Sequence, residues 1–222
     1  MNSVSGNQSD TGIQLGLFDA IRDLLFVDPV LLLGIIAILV ILIVIFKKNR
    51  TGSKIRMLIL SLVFYYYLCV MMTKIVGIPT LSEWIRVSGL GESFFHPNIN
   101  LIPFHDGFRL GAILNIFLFI PLGFLCPLIS RHYQSIKHTF FIGCGLSFSI
   151  EIVQLFTLYR ATDIDDLIMN TVGTLIGYFC FQLIHRLVMT KSHAESDWKE
   201  PDAMRYMPLG MIVITFIFGF FS

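Results

Sequence analysis

Long uncharged apolar runs, separated by short polar stretches, dominate the pattern along the chain. A transmembrane α-helix needs about 20 apolar residues to cross the hydrocarbon core of a bilayer. Such runs cover residues 29–46, 57–72, 111–130, 139–159, 167–184 and 206–221. The last run is short and requires a thinner bilayer or a shallow position. The pattern predicts an all-α fold, a polytopic transmembrane helix bundle of about six spans, five of them full length.

Composition supports a membrane protein. Hydrophobic residues make up 55% of the chain and charged residues 14%, whereas soluble domains carry about 25% charged residues. A water-soluble fold of 222 residues cannot bury this much apolar surface, so we expect the lipid bilayer to cover part of it. We expect no nucleic-acid partner.

Loop charges predict the orientation. With the N-terminus outside, most of the 16 Lys and Arg residues fall in inner loops, as the positive-inside rule requires. Both termini are then outside if all six runs span, and the C-terminus is inside if the last run does not. We divide the chain into an outer segment 1–28, a transmembrane core 29–186, and a cytoplasmic loop with a C-terminal hydrophobic helix, 187–222. Helical spacing of Ile13, Leu17 and Ile21 predicts an amphipathic interfacial helix in the first segment, or an extension of the first span.

Glu151 is the only acid inside a predicted span. A charge at mid-bilayer costs from about 3 to more than 10 kcal/mol. Gln154 and Ser147 share its helix face, so that face is expected to point into the bundle. Glu151 is either a functional acid in a polar cavity or a neutral, hydrogen-bonded residue that joins helices.

Three aspartates, Asp163, Asp165 and Asp166, precede the fifth run. One carboxylate suffices to cap a helix N-terminus. The others can pair with Arg or hold a divalent cation, and no other cofactor is expected.

Further polar residues line the neighbouring spans. Asn170 follows Asp166 on one face of the fifth span, together with Gly173 and Gly177, which suit close helix packing. Asn115 lies in the third span, ahead of Pro121. We expect an outward-opening cavity formed by the third, fourth and fifth spans. Its predicted lining is Asn115, Glu151, Gln154, Asp166 and Asn170.

Other reactive residues give little indication of chemistry. The four cysteines, Cys69, Cys126, Cys144 and Cys180, stand apart in apolar runs, so neither a zinc site nor a disulfide is expected. His96 and His105 precede the third span, and isolated histidines seldom bind metal. No catalytic residue can be assigned.

Four stretches together resemble the VanZ-like family over about residues 58–186. They are NLIPF at 100–104, NIFLFIPLGFLCP at 115–127, EIVQLF at 151–156 and RATDIDDLIMNTVG at 160–173. The corresponding motif residues here are Asn115, Pro121, Gly123, Glu151, Gln154, Arg160, Asp163, Asp165, Asp166, Asn170 and Gly173. The resemblance implies a multi-pass protein of the bacterial cell membrane with a role in the envelope. The namesake of the family is associated with resistance to teicoplanin-type glycopeptides.

Three functions remain open at this point. The first is an envelope factor that lowers glycopeptide susceptibility, with a cavity that engages a lipid-linked cell-wall precursor, the drug or a partner. Arg109 and Arg160 would then meet phosphate. The second is an intramembrane enzyme acting on a lipid-linked substrate. The third is a proton-coupled transporter that uses Glu151 as its relay.

Overall fold

The computed structural model describes most of the membrane core. The described residues are 16, 19, 22–23, 26, 28–48, 54–91, 93, 95, 99–105, 107, 110–157, 162–189 and 200–222. Ile13, Leu17 and Ile21 of the predicted amphipathic helix lie outside these residues. The same is true of His96, Arg109 and Arg160.

Helices form the described chain almost throughout. They are α1 Pro29–Lys48, α2 Lys54–Cys69, α3 Leu81–Gly89, α4 Leu110–Ile129, α5 Ile136–Gln154, α6 Ile164–Met189, α7 Asp202–Arg205 and α8 Met207–Phe220. A π-helical segment, Val70–Val76, prolongs α2, and a 3₁₀ turn, Arg131–Gln134, joins α4 to α5. Two-residue strands, β1 Ile99–Asn100 and β2 Thr162–Asp163, pair in parallel. The predicted all-α bundle is confirmed.

Among the described residues, five helical stretches are long and apolar enough to cross a bilayer. They are Pro29–Lys47, Lys54–Gly89, Leu110–Ile129, Ile136–Gln154 and Ile164–Leu187. These stretches correspond to the five full-length spans that the sequence predicts. The C-terminal helix α8 has 14 residues, so the expectation that the sixth run is short is also confirmed.

Apolar residues cover both the inner and the outer faces of these helices. On α1, Leu31 and Ile38 are completely buried, whereas Ile36, Val40 and Val44 are more than half exposed. A soluble helix places polar residues on its exposed face. The exposed side of α1 therefore faces lipid.

Small residues set the closest helix contact, which is between α4 and α6. A Cβ atom at Gly173 would overlap the carbonyl oxygen of Ile116, and one at Gly177 would overlap that of Ile120. Gly123 of α4 meets the α6 backbone in the same way. The predicted packing role of Gly173 and Gly177 is confirmed, and this contact fixes α6, which carries much of the candidate site.

The two C-terminal helices, α7 and α8, connect the two ends of the bundle. At one end, the Arg205 Nε donates a hydrogen bond of 3.0 Å to Nδ1 of His132, in the turn before α5. At the other end, the Phe220 ring lies 5.5 Å from the Trp84 ring, which also contacts Phe156 just beyond α5. We call these the His132 end and the Glu151 end.

Candidate functional site

Glu151 joins the end of α5 to the start of α6. Its side chain is 5% exposed, and its Oε2 accepts a hydrogen bond from the backbone N–H of Asp163 at 2.9 Å. Its backbone carbonyl accepts a second bond from the Thr162 hydroxyl at 3.0 Å. Together, these bonds fix the residues that lead into α6.

The fourth span differs from its predicted position. It begins at Ile136 and ends at Gln154, whereas the hydrophobic pattern predicted residues 139–159. The chain then turns, and the Thr157 hydroxyl donates to the carbonyl of Gln154 at 2.7 Å. The apolar residues after Gln154 hid this turn. Glu151 therefore lies in the last turn of its helix, near one end of the candidate span rather than at its middle.

Asp163 caps α6. It directly precedes the helix, and its Oδ1 accepts a hydrogen bond from the Asp165 N–H at 3.0 Å. This is the geometry of an N-cap, in which a side-chain oxygen satisfies an N–H group of the first helical turn. The backbone of Asp163 also pairs with Asn100 in the β1–β2 ladder. One of the three aspartates is thus a structural cap.

Asp165 holds the loop that follows β1. Its Oδ1 accepts a hydrogen bond from the Phe104 N–H at 2.9 Å. Phe104 has φ of 58°, a left-handed conformation that is uncommon for a residue with a side chain. The contact fixes residues 99–105 against α6. The sequence analysis did not predict this contact between Asp165 and the loop. The only hint in the sequence is that three aspartates are present where one suffices to cap the helix.

A second polar contact lies deeper between α5 and α6. The Asn170 side-chain amide donates a hydrogen bond to Oγ of Ser147 at 2.9 Å. Asn170 is 4% exposed and Ser147 is completely buried. Ser147 and Glu151 lie one helical turn apart on α5. We call Ser147, Glu151, Gln154, Asp163, Asp165 and Asn170 the polar junction.

Two amide oxygens of the polar junction have no hydrogen-bond partner within the described part of the chain. They are Oε1 of Gln154 and Oδ1 of Asn170, and both are buried. An unsatisfied buried acceptor costs about 1–3 kcal/mol, and native proteins contain few of them. The contacts within the junction therefore do not explain why these two oxygens are buried.

The remaining predicted site residues relate to the junction in different ways. Asp166 is half-buried in the first turn of α6, within electrostatic reach of Glu151. Asn115 is half-buried in α4, and no hydrogen bond connects it to the polar junction in the described residues. Arg160 lies outside the described residues. The cavity expected around all of them stays a prediction.

Each acid of the junction accepts a hydrogen bond from a backbone N–H group. No group of three or more His, Cys, Asp or Glu residues in the described ranges is arranged to hold a metal ion. Glu151, Asp163 and Asp165 each direct a carboxylate oxygen to a backbone N–H. Divalent-cation binding at the aspartates stays a prediction.

The helices and the polar junction define a multi-pass membrane protein with a buried polar site at one end of its bundle. The VanZ/LLP1 family model matches residues 32–185, more than half of the 222-residue chain, and the protein belongs to this family. The match begins in α1, well before residue 58, and contains all the candidate site residues. No curated protein and no solved structure matches the chain. Membership links this membrane protein to glycopeptide resistance.

Proposed function

We propose that the protein is a bacterial cell-envelope factor that lowers susceptibility to teicoplanin-type glycopeptide antibiotics. It acts from the outer side of the cell membrane. The polar junction engages a lipid-linked cell-wall precursor, the drug or a partner protein. Family membership supports the resistance role, and the architecture of the junction supports a ligand site.

The unpartnered oxygens of Gln154 and Asn170 carry the proposal of a ligand site. Each is an acceptor, so a complementary ligand presents N–H or O–H donors. Lipid-linked precursors and glycopeptides both carry amide N–H and hydroxyl groups. Binding would replace an unsatisfied acceptor by a hydrogen bond in a low-dielectric site, where that bond is electrostatically strong.

The position of the junction also suits a ligand that resides in the membrane. Glu151 and Gln154 lie in the last turn of α5, at the end of a candidate span. A headgroup at the membrane surface reaches this depth without crossing the bilayer. On the predicted orientation, this end faces outward, where cell-wall precursors are used.

A second candidate is an intramembrane enzyme that acts on a lipid-linked substrate. The buried carboxyl group of Glu151 favours it, because a positioned carboxyl can serve as a general acid or base. Incubation of the purified protein with lipid-linked precursors, followed by mass spectrometry, distinguishes the two candidates. Turnover by the unmodified protein that is lost in Glu151→Gln supports the enzyme, and an unchanged precursor in both samples supports the binding role.

Antibiotic susceptibility tests the proposed function. The chain is expressed in a teicoplanin-susceptible Gram-positive host, and growth inhibition by teicoplanin and vancomycin is measured. Asp165→Asn and Asp166→Asn are compared at matched membrane levels with Asp202→Asn, a control at the exposed start of α7.

The proposal predicts protection by the unmodified chain and by Asp202→Asn, with greater protection against teicoplanin than against vancomycin. It predicts loss of protection in Asp165→Asn, within the polar junction, and in Asp166→Asn, beside it. Full protection in both of them would exclude this role for the aspartates, and no protection by a correctly inserted unmodified chain would exclude the resistance function.

A further inference from the structure

An apolar cavity lies at the Glu151 end, beside the polar junction. Its walls come from four parts of the chain, namely the loop between the π-helical segment and α3, helix α3, the end of α5 with the residues just after it, and helix α8. The lining residues are Ile78, Pro79, Trp84, Val153, Phe156, Phe216 and Phe220. Among the described residues, no charged side chain contributes to this lining.

Aromatic packing forms one wall of the cavity. The Trp84 ring packs edge-on against Phe220 with centroids 5.5 Å apart, and it lies 6.4 Å from Phe156. Phe95 packs against the same Phe156 ring at 5.8 Å. Trp84, Phe156 and Phe220 all line the cavity, so this wall is aromatic.

Exposed apolar side chains lie next to Trp84, which lines the cavity. On α3, which contributes Trp84, the neighbouring side chains of Leu81 and Ile85 are 37% and 65% exposed, and Leu90 after the helix is 70% exposed. Val87 is buried on the opposite side. An amphipathic helix of this kind lies at the boundary between headgroups and acyl chains, so we expect acyl chains close to the cavity.

The cavity and the polar junction share the last turn of α5. Val153 lines the cavity, and the next residue, Gln154, carries a buried amide oxygen with no partner among the described residues. Adjacent residues on a helix point in directions about 100° apart, and the helix is about 10 Å across. A single amphiphilic molecule can therefore place its chain in the cavity and its head at Gln154.

We propose that this cavity binds the alkyl chain of an amphiphile whose donor-bearing headgroup reaches the polar junction. The proposal rests on the proposed function and specifies its ligand class, because it requires a ligand anchored in the bilayer by a hydrocarbon chain. Both the apolar lining and the exposed apolar side chains of α3 beside it suit such a hydrocarbon chain. The unpartnered Gln154 oxygen suits an amide or ammonium head.

Trp84 provides a direct reporter of this binding. The chain contains two tryptophans, so a Trp198→Phe protein has Trp84 as its sole tryptophan. It is reconstituted in phosphatidylcholine vesicles and titrated with dibromostearamide, whose bromines quench indole fluorescence on contact. Unbrominated stearamide is then added as a competitor. The expected result is quenching that reaches a plateau and is reversed by the competitor.

Substitutions to Phe inside and outside the cavity test whether the alkyl chain binds there. Val153→Phe fills the cavity and is expected to abolish the saturable quenching, as is Ile78→Phe from the opposite wall. Val213→Phe adds the same group on the lipid-facing side of α8, where Val213 is 48% exposed, and is expected to retain it. The proposal is overturned if quenching in the protein with the unmodified cavity rises in proportion to the brominated amphiphile, with no plateau and no competition. This outcome does not depend on whether the variants with a filled cavity fold.

The same proteins separate this inference from the proposed function. If quenching is saturable but the protein gives cells no protection against glycopeptides, the alkyl-chain site is supported and the resistance role is excluded. If the unmodified protein and Val153→Phe both protect cells but quenching is not saturable, the resistance role is supported and the alkyl-chain site is excluded.

Discussion

The carboxylate of Glu151 lies 2.9 Å from the backbone nitrogen of Asp163, and this contact begins a series. Asp163 accepts from the N–H of Asp165 at 3.0 Å, and Asp165 accepts from that of Phe104 at 2.9 Å. Three acids therefore connect the end of α5, the start of α6 and the loop 99–105. A substitution at one acid is expected to affect the position of the next segment.

Substitutions of Glu151 separate its structural bond from its chemistry. Glu151→Gln keeps an oxygen that can accept from the Asp163 N–H, so we expect its thermal stability in detergent to stay close to that of the unmodified protein. Glu151→Leu leaves that buried N–H unsatisfied, and we expect a loss of about 1–3 kcal/mol in the free energy of unfolding. Equal stability of the two variants would show that the Glu151–Asp163 bond contributes nothing to the fold.

Loss of the Asp165 carboxylate is expected to release the loop 99–105. A hydrogen bond to a charged group contributes about 1.5–3 kcal/mol, so Asp165→Ala should accelerate hydrogen exchange at the Phe104 amide by about tenfold or more. Mass spectrometry of peptides that span residue 104 measures this rate. Asp202→Ala, at the other end of the bundle, should leave it unchanged. Slow exchange retained in Asp165→Ala contradicts the assignment.

The sequence was sufficient to predict the spans but not the loop contact. Full-length apolar runs appear in the sequence because lipid requires them, and the five that were predicted correspond to helices. The Asp165–Phe104 contact joins residues 61 positions apart, and no local pattern specifies such a pairing. The end of α5 was misplaced for a related reason, since the residues that follow Gln154 are apolar but turn to bring Glu151 to Asp163.

Alanine at Gly173 is expected to disrupt the contact between α4 and α6. The added Cβ would overlap the carbonyl oxygen of Ile116, and forced overpacking costs about 1–3 kcal/mol. Gly145→Ala is a matched control on α5, because a Cβ there meets nothing within 4 Å. Thermal unfolding in detergent should show a lower midpoint for Gly173→Ala and no loss for Gly145→Ala. Equal midpoints would argue against close packing at Gly173.

The close approach of α4 and α6 was predictable because the small-xxx-small spacing of Gly173 and Gly177 is local in sequence. The hydrogen bond from Asn170 to Ser147 was harder to predict from the sequence. The sequence placed each residue on a polar helix face, but only the relative shift of α5 and α6 brings them within 2.9 Å. The unpartnered oxygens of Gln154 and Asn170 depend on the same packing and could not be predicted.

Stability is expected to depend on pH through His132 at the opposite end of the bundle. Burial, together with the charges of His138 and Arg205, lowers the pKa of His132 below its ordinary value of 6.5. Below about pH 6.5, the unfolded chain binds a proton that the folded protein does not, so folding stability falls as the pH falls toward the lowered pKa. Above that range both states are neutral and the effect vanishes.

The Arg205 bond provides the variant for this test. Arg205 donates to Nδ1 of His132, so this nitrogen must be unprotonated. His132→Gln retains an acceptor oxygen but does not titrate, and its unfolding midpoint should fall less between pH 7.5 and about pH 5.5 than that of the unmodified protein. His185→Gln should keep the original decline. An identical decline in His132→Gln would assign the pH dependence to other groups.

Gln154→Leu tests the central claim most directly, because it removes one unpartnered acceptor without removing any described hydrogen bond of that side chain. Replacement of a residue that stabilises the fold should lower stability, whereas replacement of a residue that serves only to bind a ligand should not. Thermal stability and teicoplanin susceptibility are measured on the same variant, at matched membrane levels. We predict unchanged or higher stability together with lost protection. Full protection in a stable Gln154→Leu protein would contradict the claim that the polar junction is the functional site.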